Sequence, residues 1–118
     1  MGKLILLISI NLLMFFTFVS CDSGCENENP TVTLVNNGTG KADIQIKTSG
    51  GNTENINNIE PVTSSERRTF ARCDIEFTIT IQGVQDDIVY VLHTDFCNDY
   101  TVTINSDNSV TSSSSIRD

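Results

Sequence analysis

One histidine, four cysteines and a scatter of aspartates are the residues of this chain best able to do chemistry. His93 lies beside Thr94 and Asp95, and an imidazole next to a carboxylate can act as a general base. That role needs a partner within hydrogen-bond reach, and the sequence brings no nucleophile to the pair. No catalytic residue is therefore assigned, and His93 reads as an exposed or half-buried strand residue. Asp86, Asp87, Asp95, Asp99 and Asp107 fall near the ends of apolar runs. Hard oxygen ligands on loops suit calcium, but the alternating Asp spacing of a calcium loop is missing and acids at turns are ordinary. Zinc is disfavoured by a single histidine and the lack of a Cys-x-x-Cys pair. No metal and no cofactor are implied. Asn37-Gly38-Thr39 matches a glycosylation acceptor, yet the Asn-Gly pair is sufficiently explained by a turn.

The N-terminus carries a stronger signal. Lys3 precedes an apolar run from Leu4 to Val19, closed by Ser20 and Cys21. A basic start, an apolar stretch and a small residue at the cut describe a secretory signal peptide. The run includes Ser9, Asn11 and Thr17 and is shorter than the about 20 apolar residues of a spanning helix. Val19-Ser20-Cys21 resembles the lipobox of bacterial lipoproteins, with the aromatic Phe18 where the strict pattern carries Leu, Val or Ile. The resemblance implies that residues 1–20 are removed and that Cys21 becomes a lipidated N-terminus. One acyl chain holds a protein only reversibly, whereas two or more anchor it stably. A plain signal peptide cut near Ser20 or Ser23 is the alternative.

Spending Cys21 on lipid leaves Cys25, Cys73 and Cys97, an odd number for a disulfide framework. In an oxidising compartment one bridge is expected, with the third thiol left over. Cys25–Cys97 is the first choice, because it pins the tether to the body. It would contribute on the order of 4 kcal/mol in the chain-entropy view. Cys73–Cys97 and Cys25–Cys73 are the alternatives. In Cys73-Asp74-Ile75-Glu76-Phe77-Thr78-Ile79-Thr80-Ile81 the odd positions are apolar, which places Cys73 on the inward face.

Removal of the leader takes only Lys3 from the charged residues, leaving six bases against fifteen acids. Nucleic acid and anionic lipid surfaces need a basic face, so neither is a partner through charge. Residues 21–30 are polar and read as a tether. From Thr31 onward the chain is rich in β-branched residues, with Asn, Gly and Ser between short alternating runs. The runs are Thr31–Val35, Asp43–Thr48, a weak segment around Ile56 and Ile59, Ser65–Ala71, Cys73–Ile81, Asp87–Thr94, Asp99–Asn105 and Val110–Ile116. Asn36–Gly40 reads as a hairpin-type turn, Ser49–Asn52 as another. Arg67 and Arg68 read as charged guards of an exposed edge, and Ser112–Ser115 as a frayed end. Such spacing is that of an all-β, antiparallel sandwich of about seven or eight strands, occupying residues 31–118.

Cys21 with its acidic spacer, Pro30-Thr31-Val32-Thr33-Leu34-Val35-Asn36-Asn37 and Asn98-Asp99-Tyr100-Thr101-Val102-Thr103-Ile104 together resemble small Bacteroidota lipoproteins that carry one immunoglobulin-like domain. The resemblance implies an immunoglobulin-like sandwich held to the outer membrane, at its periplasmic face or the cell surface. It brings no catalytic residue. The function expected is a non-catalytic binding or structural module, attached to the membrane through Cys21, whose partner is an envelope protein or glycan. The alternative is a small envelope enzyme, sought at His93 and Asp95, or an enzyme inhibitor presenting a rigid loop such as Asn36–Gly40 or Ser49–Asn52.

Overall fold

A computed structural model of the chain describes residues 28–117, and all regular structure in it is β. The segment read as a signal peptide, Cys21 and Cys25 lie outside the described residues. Nine strands follow one another: β1 (Thr31–Asn36), β2 (Ala42–Thr48), β3 (Thr53–Ile59), β4 (Thr63–Ser64), β5 (Arg68–Thr69), β6 (Cys73–Ile81), β7 (Ile88–Thr94), β8 (Asn98–Ile104) and β9 (Val110–Ile116). They form two sheets. The first runs β4-β1-β8-β9, with β5 also on β1, and the second runs β3-β2-β6-β7. The fold is a β-sandwich.

Alternation builds the core. Ile75, Phe77, Ile79 and Ile81 on β6 are buried, as are Ile44 and Ile46 on β2, and Ile44 and Ile46 stand opposite Ile79 and Phe77 across the ladder. Val32 and Leu34 on β1 and Val102 and Ile104 on β8 come from the other sheet to meet them. Period-2 sequence thus places one face of each sheet inside and leaves the other wet. Phe77, with no exposed surface, is the largest of these plugs, and truncating a buried Phe to Ala costs about 3–5 kcal/mol.

Four local readings are corrected. The Asn36–Gly40 turn does not close a hairpin, because β1 and β2 belong to different sheets; the turn carries the chain across the sandwich. The β1–β8 pair is parallel, so the sheets are dominated by antiparallel pairs without being purely so. The weak segment is a full strand, β3, bulged against β2 near Ala42 and Ile44. Its low apolar content reflects a sheet edge, where only Ile59 is buried and Ile56 half-buried. The polar stretch from Ser65 shrinks to Arg68–Thr69, while Thr63–Ser64 forms a second short piece.

Strand direction divides the molecule into two ends. β1, β3, β6 and β8 run from the end where residue 28 stands to the opposite end, and β2, β7 and β9 run back. The tether end therefore gathers Glu28–Pro30, Asp95–Cys97 and Arg117. The far end gathers residues 37–41, 60–62, 82–87 and 105–109.

Candidate functional site

At the tether end, Arg117, just after β9, fastens Glu28 and Asn29, just before β1. Its Nη1 donates to Glu28 Oε1 at 2.8 Å and its Nη2 to the Asn29 carbonyl at 2.8 Å. Its Nε lies 3.0 Å from Asp99 Oδ1, an ion pair at close range without hydrogen-bond alignment. Asp99 Oδ1 also accepts the Thr31 hydroxyl at 2.6 Å. Backbone bonds complete the clasp: Cys97 N–H donates to the Glu28 carbonyl at 2.8 Å and Arg117 N–H to the Cys97 carbonyl at 2.7 Å. Glu28–Pro30, read from sequence as the last of a loose spacer, are thus docked, and Pro30 is buried. Composition alone could not find this, because the partners lie near the other end of the chain.

The far end is equally organised. Asn36 is fully buried, and its Nδ2 donates to the Gly40 carbonyl at 2.9 Å and the Ile59 carbonyl at 2.8 Å. Its Oδ1 accepts Gly38 N–H at 2.9 Å. A side chain read as turn material is a core hub whose donors and acceptor are all used. The next layer is a reciprocal pair, in which Thr39 N–H donates to Asn108 Oδ1 and Asn108 Nδ2 donates to Thr39 Oγ1. A Cβ added at Gly40 would meet the Gln82 carbonyl oxygen, so glycine is required for the loops to close together. Asp107 shapes the last turn: its Oδ1 accepts Ser109 Oγ at 2.6 Å and Ser109 N–H at 3.0 Å. Chiefly the Ser109 hydroxyl bond, then its amide, holds this carboxyl below the ordinary value.

From this braced platform Val62 projects. Glu60-Pro61-Val62-Thr63 is a tight turn closed by Thr63 N–H on the Glu60 carbonyl at 3.2 Å, and Val62 stands at φ 66°. Glycine is the usual residue where the third position of a turn takes positive φ. A β-branched residue there is strained, at a cost on the order of 1–3 kcal/mol. Val62 N–H is held by the Asn36 carbonyl at 2.6 Å, and Val62 is 84 % exposed. Strained backbone and a wet apolar side chain coincide at one residue. Sequence reasoning passed over it because Pro61-Val62 carries no turn glycine.

No protein-family model and no curated protein matches the chain.

The residues first considered for chemistry stand apart. His93 lies on the outer face of β7, and its Nδ1 contacts Asp74 Oδ1 on β6, not Asp95. The imidazole is 84 % exposed, and Asp95 is engaged through its amide with the Tyr100 hydroxyl. Asp86, Asp87 and Asp107 are at the far end, Asp95 and Asp99 at the tether end. Asp87 accepts the Thr80 hydroxyl, and Asp99 is taken by Arg117 and Thr31. Among the described residues no group of three or more acidic, histidine or cysteine side chains could hold a metal ion.

Cys73 carries an exposed free thiol, which corrects both its inward placement and the two alternative pairings that used it. A φ of 90° at Cys73 rotates its side chain off the face that Ile75 and Phe77 share. Cys97, by contrast, is fully buried. Arg67 is exposed and makes no ion pair among the described residues, while Arg68 spans the open side of the sandwich to Glu54 and Glu66, both at 3.2 Å. Ser112–Ser115 is not frayed but paired along β8 within β9.

Proposed function

We propose that this chain is a lipid-anchored envelope protein, held to the outer membrane through Cys21, whose sandwich is a non-catalytic binding module. The anchor half of the proposal rests on the leader pattern and on the Val19-Ser20-Cys21 motif. The single observation that carries the binding half is Val62, an exposed apolar residue on strained backbone, braced by the buried Asn36. Strain at such a position persists only where the surroundings over-determine it, and it collects at ligand-contacting sites. The partner is an envelope protein with a small apolar recess that receives the Val62 side chain. An exposed His93 whose partner among the described residues is Asp74 supports binding over catalysis.

The same observation favours one second reading. A rigid, pre-shaped loop is how an inhibitor of an envelope enzyme would address its target, with binding strengthened by low ordering cost. The loop for that role is Glu60–Thr63, in place of the two turns first considered.

Three observations support Cys25 as the disulfide partner of Cys97. Cys73 is free, while Cys97 is buried and is not among the free thiols. The Cys97 amide bonds directly to the Glu28 carbonyl, three residues beyond Cys25. That pairing leaves Cys21 for lipid.

Cys21→Ala tests the anchor: the variant moves to the soluble fraction and takes up no radiolabelled palmitate, and label persisting on it contradicts the proposal. Val62→Gly tests the binding half. Relieving the strain raises the melting temperature, while the protein loses its envelope partner. Partner binding at the wild-type level in that variant contradicts the docking role.

A further inference from the structure

The two sides of the sandwich are treated differently. One side is guarded: β4 and β5 are two residues long, β3 is bulged, and Arg68 is clamped between Glu54 and Glu66. The other side ends in β7 and β9, each seven residues long. Neither contains Lys, Arg, Pro or Gly, the residues that usually discourage edge pairing. On β7 the backbone groups turned away from β6 form an open row. Val89 and Val91 beside that row are 61 % and 49 % exposed.

The order of residues names the occupant. Asp87-Ile88-Val89-Tyr90-Val91-Leu92-His93 is palindromic in character about Tyr90. An isologous contact puts the same patch of both copies face to face. With Tyr90 opposite Tyr90, antiparallel pairing sets Val89 against Val91 and Ile88 against Leu92 of the second copy. It also sets Asp87 against His93, an acid against a base at both ends. Each opposed pair adds cross-strand side-chain packing, and the two-fold symmetry makes the Val89–Val91 and Ile88–Leu92 pairs occur twice. Tyr90 itself turns to the other side, its hydroxyl 2.7 Å from Ser112 Oγ. There β9 offers the small side chains of Ser112–Ser114, which leave room for the approach.

We infer that β7 is a homodimer edge: two copies pair β7 to β7 about a two-fold axis at Tyr90, joining their second sheets into one continuous sheet. The axis stands perpendicular to that sheet and leaves both Glu28 ends at equal height along it, so both anchors reach one membrane. This contact uses neither Val62 nor the tether clasp, and it stands whether or not Val62 docks a partner.

The experiment is thiol cross-linking of the full-length protein in intact membranes, with Cys73→Ser as background and a short bis-maleimide as probe. Tyr90→Cys gives an adduct of twice the chain's mass, and Asn55→Cys on the opposite edge does not. Adding Val91→Lys lowers the yield about tenfold, because the lost pair is felt twice across the two-fold. Equal yields from positions 90 and 55, no adduct from position 90, or an adduct of another mass would each overturn the inference. Sedimentation of the detergent-solubilised Cys73→Ser protein with Tyr90 intact guards against a folding defect in Tyr90→Cys. It shows a dimer that Val91→Lys converts to monomer, and a monomer before that change also overturns the inference.

Discussion

Thr39 and Asn108, sixty-nine residues apart, hold each other by two reciprocal hydrogen bonds of 3.0 and 2.9 Å. The pair ties the β1–β2 crossing to the β8–β9 turn, so two loops from opposite halves of the chain behave as one piece. Asn108 sits at φ 67°, a region that asparagine tolerates better than most residues. Asn108→Gly should therefore cost only the side-chain bonds, about 1 kcal/mol. Asn108→Ala should cost about 1 kcal/mol more, for the left-handed backbone. Chemical denaturation of both variants checks this, and equal losses would show that the backbone term is absent.

Asn36→Ala should be the most damaging polar change at the far end. It strands a buried Ile59 carbonyl and the Gly38 amide, and each orphaned group costs about 1–3 kcal/mol. A loss of about 3 kcal/mol in urea unfolding is expected, with exposure of the Val62 turn to protease. A loss under 1 kcal/mol would mean that water replaces the amide without penalty.

Much of the architecture could be read from sequence, since alternation in Cys73–Ile81 and Asp43–Thr48 reports directly which side chains face inward. Positions governed by distant partners could not be read. Asn36 looks like turn material because its acceptors include Ile59, twenty-three residues on. Glu28 looks like spacer because Arg117 is eighty-nine residues away. Cys73 keeps step with its apolar neighbours in sequence, and only its positive φ takes it off their face. Val62 carries no local signal, because valine at a positive-φ turn position runs against propensity.

Arg117→Ala should loosen the tether end without unfolding the domain. The pair with Glu28 is partly exposed and contributes modestly, so the global loss is about 1 kcal/mol. The local effect is larger: exchange of the Cys97 amide, which donates to the Glu28 carbonyl, should speed up more than that of core amides in β6. Uniform acceleration would contradict a local clasp.

Asp107 gives a pH signature. Its carboxyl is held below the ordinary value of 3.8 by the Ser109 hydroxyl and amide. A depressed carboxyl stabilises the fold above its unfolded value, and that contribution is lost as pH falls through the folded one. Ser109→Ala removes the leading cause, so carboxyl-detected NMR titration should find Asp107 shifted upward. An unchanged titration would show that the hydroxyl bond does not act on the charged form.

The central claim is that the braced Val62 turn meets a partner while the protein is anchored through Cys21. Site-specific photo-crosslinking in living cells tests it most directly, with the photoreactive residue at position 62 or, as control, at Gly50 in the tether-end turn. The account predicts one discrete heterologous adduct from position 62, lost when Asn36→Ala unbraces the turn, and none from position 50. Adducts of equal yield from both positions, or none from position 62 in correctly anchored protein, would contradict it.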